Sequence, residues 1–223
     1  IKLWCKRNVK RMKHKIYLAI LFLVLLTKNA FALVEVDITR GNLNPLPIAI
    51  SPLYIDSKSS EALDKILTEK GLGSKISKII ETNLKRSGLF NPLSKDSFIQ
   101  KPDIAHVKPR FEDWNLIKAQ ALVTGKVEMI NDKMRVEFRL WDVLAAREMV
   151  ALAFNTVPSN WRRVGHIITD KIYKRLTGDD GYFDTRVIYV SESGPKTQRI
   201  KKLAIMDQDG ANTKYITLGN ELV

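Results

Sequence analysis

Cysteine is nearly absent from this chain: among 223 residues, Cys5 is the only one. One thiol excludes an internal disulfide framework and every zinc site built on paired cysteines. Histidine is almost as scarce. His14, His106 and His166 stand far apart, and separated imidazoles without cysteine make no metal-binding motif. There is no Gly-x-Ser-x-Gly elbow, phosphate loop or dinucleotide fingerprint. A long apolar stretch is missing too. Ile16 to Leu26, eleven uncharged apolar residues, would span about 16 Å as a helix. A bilayer core needs ~30 Å, so the run is too short for a membrane span.

What surrounds that run gives it another meaning. Lys13 and Lys15 precede it, and the small-x-small site Ala30-Phe31-Ala32 follows. A basic start, a short apolar segment and an Ala-x-Ala site are the parts of a cleavable secretory signal. Residues 1–32 are read as that signal, with Ala30, Ala32 and Leu33 around the cut, and Met12 as the start after an upstream extension, Ile1 to Arg11. The signal changes how the charge is read. The chain carries a net +13, which suggests an anionic partner. Eight of its 37 basic side chains lie in residues 1–32, where there is no acidic residue. Residues 33–223 hold 29 basic against 24 acidic side chains, spread along the chain, which argues against nucleic-acid binding. The mature chain of 191 residues would contain no cysteine and is long enough to bury a core unaided.

Residues 33–45 form an N-terminal arm in which Val34, Val36 and Ile38 alternate with Glu35, Asp37 and Thr39. Residues 46–178 read as one α+β domain, a mixed, mostly antiparallel sheet with helices packed on one face. Its expected parts begin with a short strand, Ile48 to Ser51, buried on both sides. A short helix spans Ser60 to Lys70. A longer one is capped by Ser74 and stopped at Gly88, residues 95–108 are a polar loop, and Phe111 to Ile117 make a helical turn or two. The most regular part is a three-stranded meander. It has Ala121 to Met129, a tight turn at Asn131-Asp132-Lys133, Met134 to Trp141 with period two, and Met149 to Thr156. A final helix starts at Ser159 or Asn160 and ends at Gly178. Beyond residue 179, three short strands (Arg186 to Ser191, Ile200 to Met206, Lys214 to Leu218) have the spacing of an incomplete first propeller blade.

Candidate chemistry is thin. His166 and Asp170 are four apart on one helix face and read as a structural pair, since no nucleophile motif accompanies them. Asp207-Gln208-Asp209-Gly210 opens like a calcium loop, but the twelfth position is Leu218 where that loop needs Glu, so the segment reads as a hairpin turn. Trp114, Trp141 and Trp161 occupy packing positions. No catalytic, metal-binding or cofactor-binding residue is expected, and no cofactor.

Several segments resemble the TolB family of periplasmic propeller proteins. They are Ile48-Ala49-Ile50-Ser51-Pro52-Leu53, Leu84-Lys85-Arg86-Ser87-Gly88-Leu89-Phe90-Asn91-Pro92-Leu93 and Val123-Thr124-Gly125-Lys126-Val127. Arg163 to Val190 adds His166 to Tyr173, Leu176-Thr177-Gly178 and Gly181-Tyr182-Phe183-Asp184-Thr185-Arg186, and Asp207 to Gly210 fits the first-blade turn. Two departures stand out: Leu53 where the family has Phe, and an inserted Ser57 to Gly73. The resemblance implies a non-enzymatic adaptor of the Tol–Pal envelope system, supporting outer-membrane integrity, constriction at division and colicin import. It implies a periplasmic, monomeric protein with no nucleic acid and no membrane insertion after cleavage. The arm Leu33, Val34, Glu35, Val36, Asp37, Ile38, Thr39 and Arg40 would meet the C-terminal domain of TolA. The propeller, of which this chain holds only the start, would meet the lipoprotein Pal. The alternative is a truncated, exported, propeller-bearing hydrolase whose catalytic domain lies elsewhere, marked by a downstream Gly-x-Ser-x-Gly.

Overall fold

Strand β1 (Leu46–Ile50) is almost wholly apolar because each of its faces meets a different core. The computed structural model describes residues 44–67 and 70–219. The expected signal, with Ala30, Ala32 and Leu33, and the arm to Arg40 lie outside them. β1 pairs in parallel with β3 (Phe90–Pro92) on one side and β4 (Ala121–Ile130) on the other; β2 (Tyr54–Ile55) also runs parallel to β4. From β4 the sheet turns antiparallel through β5 (Lys133–Asp142) to β6 (Arg147–Thr156), in the order β3-β1-β4-β5-β6. Asn131 and Asp132 both take positive φ, 47° and 63°. That is the left-handed pair a two-residue hairpin loop requires, and it fixes the register Ile130↔Lys133.

The period of two is obeyed strictly in β5. Met134, Val136, Phe138 and Leu140 are fully buried on the face covered by helices, while Arg135, Glu137 and Arg139 turn outward. Helices α1 (Ser57–Leu67), α2 (Leu72–Arg86) and α5 (Trp161–Thr177) cover that face with Leu63, Ile76, Ile80, Leu84, Ile168, Ile172 and Leu176. Each such side chain contributes ~1.5–3 kcal/mol by leaving water. The expected α+β class stands, with a smaller second layer added. On the other face α3 (Pro102–Ala105) and α4 (Phe111–Leu116) close a cluster of Ala49, Leu122, Trp114 and Val143. Buried Gln100 holds it together. Its Oε1 accepts from Trp114 Nε1 at 3.0 Å and from Arg110 N at 2.9 Å.

Three local expectations change. α2 begins at Leu72, so Ser74 lies inside its first turn; Gly71, left-handed at φ 71°, makes the entry instead. α1 begins earlier than expected, at Ser57, because Asp56 Oδ1 accepts from Ser59 N at 2.9 Å and caps it. Residues 95–108 are not all loop: a 3₁₀ turn at Lys95–Ser97 precedes α3, where Pro102 sits at the first helical position and suits it.

The second sheet is separate: β7 (Arg186–Ser193), β8 (Ile200–Asp207) and β9 (Lys214–Tyr215), antiparallel throughout. The third strand is only two residues long, shorter than the sequence suggested. Within β7–β9, Ala204 alone is a buried hydrophobic residue, while Val187, Ile188, Val190, Ile200 and Tyr215 are exposed. With so little apolar burial, this sheet opens more readily than the first. Limited trypsin digestion should therefore cut within 186–219 before cutting within 46–178, as read by mass spectrometry of the early fragments. Equal resistance of the two regions would contradict this.

Candidate functional site

The most concentrated polar chemistry lies where α2, α5 and the β8–β9 turn meet. Gly165 makes the meeting possible. A Cβ there would stand 3.0 Å from Ile79 Cγ2, so glycine lets α5 press against α2. That approach brings Asn83 of α2 against His166 and Thr169 of α5.

Every hydrogen-bonding group of the Asn83 amide is used. Nδ2 lies 2.9 Å from His166 Nδ1 and donates to Thr169 Oγ1 at 3.3 Å. Oδ1 accepts from Arg86 Nη2 at 3.3 Å and from Gln208 Nε2 at 3.1 Å. Thr169 in turn donates to Gly165 O at 2.7 Å, so its oxygen is free to accept. Arg86 also donates to Gln208 Oε1. The amide orientation decides the imidazole tautomer. Nδ1 faces an N–H donor and must accept, so the neutral ring carries its proton on Nε2.

That Nε2 points at the turn. It lies 3.5 Å from Asp209 Oδ2, too far for a good hydrogen bond, and it has no hydrogen-bond partner although the side chain is only 3% exposed. Asp209 Oδ2 is taken by Arg162 Nη2. The turn itself is tightly built. Gly210 N donates to Asp207 O at 2.9 Å, Ala211 N to Asp209 Oδ1 at 3.2 Å, and Asn212 Nδ2 to Asp207 Oδ2 at 2.6 Å. Two further ion pairs flank it: Arg163 forks onto both oxygens of Asp184, at 3.1 and 3.2 Å, and Arg186 stands 3.7 Å from Asp207. A cleft of about 380 Å³ opens beside these groups, with Ser159, Asn160, Arg162, His166 and Asp207 in its wall.

The expected His166–Asp170 pair is replaced by other partners. His166 turns to Asn83 and Asp209. The Asp170 carboxylate accepts from Phe183 N at 2.7 Å and Asp184 N at 3.0 Å, fastening the segment after α5. Spacing on one helix allowed the pair, but backbone N–H groups from outside the helix gave the carboxylate better donors. The tryptophans pack as expected: Trp114 is buried, and Trp141 Nε1 donates to Thr124 Oγ1 at 2.9 Å. Sequence reasoning missed the convergence of His166, Asp207 and Asp209. Its signal was the Asp-x-Asp-Gly turn, but nothing in the sequence placed a helix histidine against it.

Residues 34–149 match the TolB amino-terminal domain family. The chain is 73% identical over 207 residues to the Tol-Pal system protein TolB of Pelagibacter ubique (strain HTCC1062), covering 93% of this chain and 46% of that relative. It is similar to the crystal structure of TolB from Acinetobacter baumannii, with a TM-score of 0.63 at 27% identity, over 83% of this chain and 41% of that one. The chain thus spans less than half the length of both.

His166 should make the fold sensitive to mild acid. Burial, more than any neighbour, holds its pKa below the ordinary value near 6.5; Arg162 adds to this, while Asp209, Asp207 and Asp184 oppose it. Below pH ~6.5 the unfolded chain takes up a proton that the folded ring resists, so stability is full above that pH and falls as pH drops from 7 toward 5. In urea titrations across that range, His166→Gln should show a shallower loss than the parent chain. An unchanged slope would refute the assignment.

Proposed function

The chain belongs to the TolB family, and from that premise we propose that it works as a non-enzymatic, periplasmic adaptor of the Tol–Pal cell-envelope system. The observation that carries this reading is the close match to a Tol–Pal relative along nearly the whole chain. The local chemistry is compatible with binding. Around His166 most polar groups join a helix pair to a hairpin turn, with three Asp–Arg pairs close to electrical balance.

Residues 1–32 serve as the export signal, cut between Ala32 and Leu33, and residues 46–178 and 179–223 are the α+β domain and the start of a propeller. The new terminus frees the arm Leu33 to Arg40. Its alternating apolar and polar residues suit pairing with the sheet edge of a partner, and the TolA C-terminal domain is that partner. Pal is the partner of the propeller.

Two measurements test the reading. N-terminal sequencing of the exported protein should return Leu-Val-Glu-Val; any other start moves or removes the arm. Immobilised TolA C-terminal domain should retain residues 33–223 and lose them when residues 33–40 are deleted. Equal retention of both forms would rule out the arm as the binding element.

A further inference from the structure

Asp207 and Asp209 stand two apart in one tight turn, and a carboxylate oxygen of each lies with a ring nitrogen of His166 inside a 4.8 Å span. We propose that His166, Asp207 and Asp209 form a site for a divalent metal ion of the Zn²⁺ or Mn²⁺ type, where α5 meets the β8–β9 turn.

The donor set is one imidazole nitrogen and two carboxylate oxygens. Such a mixture suits borderline ions and is poorly matched to calcium or magnesium, which take oxygen alone. A metal at ~2.0–2.2 Å from each ligand holds tetrahedral ligands about 3.3–3.6 Å apart; His166 Nε2 and Asp209 Oδ2 already stand at 3.5 Å, and Asp207 must move in to complete the site. The acidic turn does not stand alone as evidence. His166 is 2% exposed, and its Nε2, aimed at Asp209, lacks a hydrogen-bond partner. An ion would satisfy that nitrogen.

The surroundings supply both support and a competitor. Ligating imidazoles are oriented by an acceptor on their other nitrogen. Asn83 already occupies that place. Rotating its amide presents Oδ1 to Nδ1; the ring proton moves from Nε2 to Nδ1, and the ring stays neutral. Thr169 turns its hydroxyl from Gly165 O to that Oδ1, Gln208 turns with the amide, and Arg86, which donates to both amides, swings away. The competitor is Arg162, whose guanidinium holds Asp209 Oδ2 in the metal-free protein, with Arg186 near Asp207 as a second cation. The ion must displace Arg162 from that oxygen, which weakens its binding. The neighbouring cleft gives it a way in.

Isothermal titration of the full chain, stripped with EDTA and then given ZnCl₂ or MnCl₂, tests this. One saturable event per chain is expected at this site. Asp209→Asn and His166→Ala should weaken it at least tenfold, in line with the ~10–100-fold cost of disturbing even outer partners of a metal site. Arg162→Gln should tighten it severalfold. That variant keeps all three ligands, so it stays informative if His166→Ala folds poorly. Absence of saturable binding in both the parent and Arg162→Gln overturns the proposal. So does binding indifferent to Asp209→Asn and Arg162→Gln, which would place the ion elsewhere, for instance at Cys5 or His14.

Discussion

The close approach of α5 to α2 at Gly165 is the constraint on which the rest hangs. The two helices carry Ile76, Ile80, Leu84, Ile168, Ile172 and Leu176 onto the same sheet face, so their separation sets how well that core fills. It also sets whether Asn83 reaches His166 at 2.9 Å and Thr169 at 3.3 Å. A methyl group at position 165 would stand 3.0 Å from Ile79 Cγ2 and 3.2 Å from its Cβ, so Ile79 would have to give by a few tenths of an ångström. Apolar packing and the polar network are linked here, because both depend on one interhelical distance.

That coupling explains how a polar cluster persists at the edge of an apolar core. A buried amide that lost its partners would cost ~1–3 kcal/mol. Asn83 avoids this by filling all its positions from three directions: α2 itself through Arg86, α5 through His166 and Thr169, and the turn through Gln208. The turn is in effect the last contributor to a site that the helices prepare. Since Ala204 is the one buried hydrophobic residue of the second sheet, attachment of that sheet relies on these directed contacts and on the segment after α5, where Asp170 accepts from Phe183 N and Asp184 N and the Phe183 ring is fully buried.

How much of this was legible follows from the range of each interaction. The β4–β5 hairpin was readable because its period of two and its Asn-Asp turn are written in adjacent residues, and the structure reproduces both. The stops at Gly88 and Gly178 were readable for the same reason, and both glycines adopt positive φ. The start of α2 was misplaced because Ser74 looked like a cap, and only Gly71's left-handed backbone sets the true entry. Of the α3–α4 layer only the helical turn from Phe111 was readable: a four-residue α3 has no periodicity to detect, and Gln100 joins the layer through contacts 10 and 14 residues away. The His166–Asp170 pairing failed in a similar way. Its test was spacing along a helix, whereas the true partners come from 83 residues before His166 and 13 and 14 residues after Asp170.

The same distinction separates the two kinds of stability in the molecule. The α+β domain is held by burial, which is non-directional and acts over a close-packed core. The β8–β9 turn is held by charges and hydrogen bonds whose strength depends on distance, protonation and competing ions. Arg162 and His166 both address Asp209, yet only one of them reaches hydrogen-bonding distance, so that carboxylate is contested in the resting state. A contested, half-buried carboxylate responds to whatever changes the balance, whether a cation or a shift of α5. The junction of the two sheets is therefore the part of this fold whose geometry conditions can alter while the core beneath it stays intact.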